Sequence, residues 1–152
     1  MFKLRYIEKN DLDFLQETRQ DPEVIENLGT FCFINSDTQL EWYESLKKDN
    51  TRIYLIFEES GLINDKIGYV RLTNIDYINR SICVGGDIKK DCRGKGYSKQ
   101  MYKLIFDLCF NQLNMNRVFL YVLESNKRAI HIYEKLGFKH EGRQRQAIYK
   151  NG

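Results

Sequence analysis

The densest chemistry in the chain lies in six residues, Arg93-Gly94-Lys95-Gly96-Tyr97-Ser98. They join an apolar, β-type run at Ser81–Ile88 to a helix-periodic run that opens at Tyr97. A strand that ends in a glycine-rich turn and enters a helix aims several backbone N–H groups at one point, and the positive end of the helix dipole adds to them. Such a point binds an anion, and a pyrophosphate suits it best. A Cβ on Gly94 or Gly96 would block close approach of the backbone to phosphate oxygens. Within 89–103, Lys89, Lys90, Arg93, Lys95, Lys99 and Lys103 stand against Asp91 alone, enough cations for a ligand with several phosphates. The two common nucleotide motifs do not account for it. The Rossmann fingerprint needs a third glycine where the chain has Lys99, and no P-loop lysine pattern is present.

A second constellation runs over 120–138, LYVLESNKRAIHIYEKLGF. Asn126 or Ser125 caps a predicted helix at Lys127–Leu136, and Gly137 suits the position just past its end. Ala129, Ile132, Tyr133 and Leu136 fall on one side, so periodicity alone makes Tyr133 a packing residue.

The elements that must position these residues follow from pattern. Phe2–Ile7 reads as a strand, and Asn10 as the cap of a helix beginning near Asp11. Pro22 opens a short helix, Pro22–Leu28, and Ser36 caps another, Thr38–Lys48, with Leu40, Trp42, Tyr43 and Leu46 on its apolar side. Arg52–Phe57, Lys66–Asn74 and Ser81–Ile88 form a meander, turned at Gly61–Asp65 and Asp76–Arg80. Tyr97–Leu113 is a long helix, because Met101, Leu104, Ile105, Leu108 and Cys109 make one apolar stripe. Arg117–Val122 and Lys139–Tyr149 are the remaining strands. This order gives a mixed α/β (α+β) domain: an antiparallel meander followed by a strand–helix–strand crossover.

Composition bounds the function class. The 152 residues suit one domain, and 13% aromatics argue against disorder. No apolar run approaches the ~20 residues of a membrane span, and the N-terminus has no secretory h-region, so the expected location is cytoplasmic, with no membrane partner. Cys32, Cys83, Cys92 and Cys109 form no C-x-x-C pair, and His131 and His140 complete no zinc pattern. No metal is expected, and the thiols read as reduced and mostly buried. The net charge of +3 is divided: 1–60 holds seven Lys and Arg against thirteen Asp and Glu, and 61–152 seventeen against eight. Two kinds of partner fit that split, one cationic and one anionic, as does a scatter of charge over a solvated surface. The glycine turn already absorbs the basic cluster, so no nucleic-acid partner is expected.

Arg93-Gly94-Lys95-Gly96-Tyr97-Ser98 resembles the acetyl-CoA signature [QR]-x-x-G-x-[GA] of the GNAT superfamily of N-acetyltransferases, with Ser98 where Gly or Ala is usual. Leu120–Phe138 resembles the second signature of that family, an Asn before a helix that carries a Tyr and ends in L-G-F. The element order fits as well, so the similarity covers nearly the whole chain. It implies a mostly antiparallel sheet with helices on both faces and a V-shaped splay between Ser81–Ile88 and Arg117–Val122. It implies acetyl-CoA as donor, held by the backbone of Gly86, Asp87 and Ile88 and by Arg93, Gly94, Lys95, Gly96, Tyr97, Ser98, Asn126 and Arg128, with CoA as product. A backbone N–H would polarise the thioester carbonyl, the amine would attack directly, and Tyr133 would protonate the departing thiolate.

The resemblance leaves the general base open. Family members carry a Glu where this chain has Tyr121 or Cys83, so Asp87, Glu124 and a water relay all stand. The acceptor is a small-molecule amine, and Glu17, Asp21, Glu23 and Glu26 would draw its ammonium. Residues 19–24, 42–46 and 52–54 resemble members that act on nucleotide-linked amino sugars of the 4-amino-4,6-dideoxy type, with Trp42 and Tyr54 as stacking surface. Polyamine and ribosomal-protein N-terminal acetylation are the alternatives, and a non-catalytic acyl-CoA-binding domain is the alternative of another class. Asn151-Gly152 is a hairpin signal without a returning strand, which predicts a longer native chain or a homodimer partner that supplies the strand.

Overall fold

The computed structural model describes residues 1–29, 35–61, 66–150 and 152. Cys32, most of the predicted Gly61–Asp65 turn and Asn151 of the terminal hairpin signal lie outside them.

The sheet has five strands in sequence order: β1 (Phe2–Tyr6), β2 (Ile53–Glu59), β3 (Lys66–Asp76), β4 (Ser81–Ile88) and β5 (Arg117–Phe119). β1 to β4 pair antiparallel, and β5 lies parallel to β4. Period-2 side-chain direction splits the central strands between two cores. Leu55, Phe57, Val70 and Leu72 face one way, toward Met101, Tyr102, Ile105 and Cys109 of the helix that follows β4. Tyr54, Ile56 and Tyr69 face the other way, toward Leu15, Phe14, Trp42 and Leu46. Both faces are therefore covered, as expected.

The helices are α1 (Leu12–Gln20), α2 (Pro22–Asn27), α3 (Ser36–Leu46), α4 (Tyr97–Phe106) and α5 (Lys127–Lys135). Their starts show where side-chain capping differs from the sequence reading. Asn10 is not the first cap. It lies inside a 3₁₀ turn, Lys9–Asp11, where Glu8 and Asp11 cap reciprocally and the Glu8 N–H donates to Asp11 Oδ2 at 2.8 Å. Asn35, rather than Ser36, caps α3 by accepting from the Thr38 N–H. Asp21 caps α2, with Pro22 in the first turn. Asn126 caps α5 through the Ala129 N–H at 3.1 Å.

Two expectations about length fail. The long helix ends at Phe106, and Asp107–Gln112 continues as a π-helical turn. Asp107 accepts from Asn111 and Gln112, four and five residues on, and this clips the wider turn together. The predicted strand Lys139–Tyr149 does not form. β5 stops at Phe119 rather than Val122, so residues 139–149 find no ladder to join and stay irregular. They are held by side chains instead. Arg117 grips Glu141, Arg143 pairs with Glu124, and Lys150 Nζ donates to the carbonyls of Ile25, Glu26 and Leu28 at the end of α2.

Among the described thiols, Cys83, Cys92 and Cys109 are free. Only Cys109 is buried, and burial pushes its pKa up to about 12.

Candidate active site

The notch forms because β4 outruns β5. The two strands pair only at Ser81–Arg117, Ile82–Val118 and Cys83–Phe119. From Val84 to Ile88, β4 keeps its ladder with β3 and has no strand on its other side among the described residues. Its backbone is open there to an extended ligand. Gly86 lies in this stretch, where a Cβ would sit 2.6 Å from Met101 Cε.

The glycine turn follows. Gly94 (φ 77°) and Gly96 (φ 79°) are both left-handed, and the space around them is open. Gly96 is the N-cap of α4 and supplies no side chain, so the first amides of the helix stay uncapped by side chains. An open strand edge, an uncapped helix N-terminus and exposed Lys90, Lys95 and Lys99 fit an extended thioester arm followed by phosphates.

Other predicted donor contacts are engaged elsewhere. Arg93 folds back onto the Ile88 carbonyl through Nε and pairs with Asp21 at 3.2 Å and Glu23 at 2.9 Å. Arg128 takes the other oxygen of Glu23 at 3.0 Å. Glu23 thus ties both arginines to α2. Asp21 is consumed by its cap and by Arg93. Burial opposes the charge on Asp21, but the Arg93 hydrogen bond and charge, with the Glu23 and Val24 amides, hold its carboxyl below the usual range. Tyr97 packs edge-on against Phe2, and Ser98 is half-buried beside it. Glu17 and Glu26 are exposed.

Asp87 and Tyr133 lie within electrostatic reach of each other. Asp87 Oδ2 lies 3.1 Å from Arg71 Nη1, yet this buried oxygen accepts no aligned hydrogen bond. Tyr133 on α5 packs against Tyr102 and Phe138, both with ring centroids 5.7 Å away. Burial raises its phenol pKa, with Tyr102 opposing and the charges of Asp87 and Arg71 also felt. A phenol so placed is protonated at neutral pH, as a proton donor must be. Glu124 does not join them. It is exposed and paired with Arg143 at 2.6 Å.

The sequence reading missed Arg71, Tyr69 and Tyr102. Arg71 lies opposite Gly85 in the β3–β4 register, and a Cβ on Gly85 would sit 3.1 Å from the guanidinium. Arg71 also caps the Tyr69 ring at 5.6 Å. Tyr69 pairs with Asp87 and Tyr54 with Arg71, so the same face of the sheet also carries a cavity of about 210 Å³, lined by Arg19, Gln39, Trp42, Tyr54 and Tyr69. Trp42 and Tyr54 meet edge to face at 4.8 Å. Arg19 makes no ion pair with any described residue.

Comparison with known proteins identifies the arrangement. The family model of the acetyltransferase (GNAT) domain matches residues 2–139. Spermidine N(1)-acetyltransferase of Vibrio cholerae is 28% identical over 149 residues, covering 98% of this chain and 85% of that protein. A putative ribosomal N-acetyltransferase of Bacillus subtilis is 29% identical over 158 residues, covering 98% and 84%. A crystal structure of the Vibrio cholerae spermidine N-acetyltransferase in complex with CoA and spermine superposes with a TM-score of 0.93 at 28% identity, covering 99% of this chain and 88% of that one. The chain belongs to the GNAT acetyltransferase family and is an acetyl-CoA-dependent N-acetyltransferase.

Proposed function

We propose that this enzyme acetylates a primary amine of an aliphatic polyamine. The observation that carries the reading is the Asp87 carboxylate, 16% exposed at the open end of the notch, with one oxygen free of any aligned hydrogen bond and its charge felt at the Tyr133 phenol. A carboxylate there attracts an ammonium group and can take its proton. The spermidine N-acetyltransferases among the relatives agree in acceptor class, and they favour a polyamine over the amino sugar expected from residues 19–24 and 42–54.

Each residue then has a task. The backbone of Gly86, Asp87 and Ile88 would hold the thioester arm as an added strand, and a backbone N–H there would meet the carbonyl oxygen as charge develops on it. Gly94, Lys95 and Gly96 with the first amides of α4 would hold the phosphates. Acetyl-CoA supplies an activated acetyl group. Asp87 accepts the proton of the incoming ammonium, and the freed amine forms the new C–N bond. The C–S bond breaks, Tyr133 delivers its proton to sulfur, and once Asp87 has passed the first proton to solvent the second proton shed by the nitrogen returns through Asp87 and solvent to the Tyr133 phenolate.

A second reading rests on the cavity lined by Tyr69. Its aromatic walls and Arg19, which makes no ion pair with a described residue, suit a sugar ring with an anionic substituent. Release of CoA thiol separates the two with acetyl-CoA and one acceptor at a time: spermidine, a nucleotide-linked amino sugar, or a peptide with a free N-terminus. Turnover with spermidine and not with the others is expected. Turnover with the amino sugar alone overturns the polyamine reading and transfers the site to the cavity.

A further inference from the structure

Tyr102 is 2% exposed, and its hydroxyl oxygen has no hydrogen-bond partner among the described residues. A buried hydroxyl without a partner is destabilising, and phenylalanine would fill the same space without that penalty. The ring packs without help from the hydroxyl, with centroids 5.9 Å from Phe106, 5.7 Å from Tyr133 and 6.1 Å from Phe138. The fold therefore gives no reason for the oxygen. Its position does: the Tyr102 and Tyr133 rings meet edge to face at 5.7 Å, and the Tyr102 hydroxyl acts on the Tyr133 phenol while making no aligned hydrogen bond.

We propose that Tyr102 is a positioning residue for acetyl transfer, its O–H turning to the Tyr133 oxygen once Tyr133 has given up its proton. The proposal rests on reading Tyr133 as the donor. The step balances without a further reactant. The amine forms the C–N bond, the C–S bond breaks, and sulfur takes the Tyr133 proton. The proton lost by the amine passes through Asp87 and solvent back to the phenolate. Tyr102 keeps its own proton throughout and only donates a hydrogen bond, which is strongest to a charged acceptor. Burial holds the Tyr102 phenol well above its usual range, which keeps it a donor. The groups acting on Tyr133 are Tyr102 from α4, Asp87 from β4 and Arg71 from β3. Of these, Asp87 opposes a phenolate, while Tyr102 and Arg71 favour one.

A double-mutant cycle on the whole chain tests this, with Tyr102→Phe, Tyr133→Phe and the pair measured for kcat, both KM values, pH profile and Tm. Tyr102→Phe is expected to keep or raise Tm, leave both KM values unchanged and lower kcat about ten-fold, the scale of one charge-assisted hydrogen bond. The basic limb of its kcat profile moves to higher pH, because the hydroxyl that holds the Tyr133 phenol down is gone. In the Tyr133→Phe background the same change has no further effect. Unchanged kcat in Tyr102→Phe while Tyr133→Phe is impaired overturns this proposal alone. Additive losses, or a fall in Tm that tracks kcat, mark a packing role and overturn it too. Full activity in Tyr133→Phe overturns both this proposal and the donor reading.

Discussion

Asp87 combines an ion pair to Arg71 with an oxygen that accepts no aligned hydrogen bond. The pair fixes the carboxylate without consuming its capacity to receive an ammonium proton. Asp87→Asn is isosteric and removes that capacity. Its kcat/KM for the amine should fall ~10²-fold, within the range of general base catalysis, while KM for acetyl-CoA stays unchanged. Steady-state kinetics with each substrate varied in turn check this. Gly85→Ala should produce a smaller loss of the same kind, since the added Cβ would meet Arg71 Nη2 at 3.1 Å and shift the guanidinium off Asp87. At this scale motif and strand end single out Tyr133 and Asp87 from sequence, and the structure puts the two within electrostatic reach of each other. Arg71 was not legible, because its meeting with Gly85 and Asp87 depends on the β3–β4 register. Tyr102 was hidden beside the apolar stripe it was not counted in. It falls one residue past Met101 on the edge of that stripe, at i, i+3 and i+7 with Ile105 and Cys109, where a tyrosine reads as a border residue.

Elements carry their own consequences. Gly96 adopts φ 79° where α4 begins, with nothing in the way of a Cβ. Gly96→Ala therefore acts through backbone strain rather than a clash, destabilising by about 1 kcal/mol and raising KM for acetyl-CoA. Denaturant melts and kinetics on one preparation separate the two effects. The entry to α1 is pinned by Asp11, fully buried between Arg5 at 2.6 Å and Lys66 at 2.7 Å. Burial alone would raise its pKa, but hydrogen bonds from Arg5, Lys66 and the Glu8 amide bring it to about 2. A folded pKa below the unfolded value means the contribution is complete above about pH 4 and is lost as pH falls toward 2. Asp11→Asn leaves Lys66 without its partner and Arg5 with Glu58 alone, and should destabilise by about 2–3 kcal/mol at pH 7. The deficit should shrink as the wild type is acidified through that window. Equal stability of the two proteins at pH 7 would show that Asp11 does not pin the entry to α1. Strand order and helix order were legible from periodicity. The last strand was not, because alternation predicts a strand only when another edge receives it, and β5 ends at Phe119. The cap at Asn35 was missed for a simpler reason: Ser36 is an equally good cap by type, and only geometry separates them.

Across the whole molecule the division of charge takes on a spatial meaning. The basic second half surrounds the turn into α4, where Lys90, Lys95, Lys99 and Lys103 are exposed. The acidic first half meets it at α2, where Glu23 joins Arg93 and Arg128. Exposed cations are screened beyond ~10 Å at 0.1 M salt, so KM for acetyl-CoA should rise several-fold between low and high ionic strength. A flat salt dependence would place the phosphates elsewhere. Among the described residues no helix is long and apolar enough to cross a membrane. In the proposed reaction the open edge of β4, one phenol and one amine acceptor meet. Its most direct test is CoA-thiol release from acetyl-CoA with spermidine, in the wild type and in Tyr133→Phe, with acetyl-CoA affinity measured on both. Steady turnover is expected in the wild type, and a ~10²-fold lower kcat in the variant at unchanged affinity. A variant that turns over as fast as the wild type, or a wild type that binds acetyl-CoA and acetylates no amine, would contradict the proposed reaction.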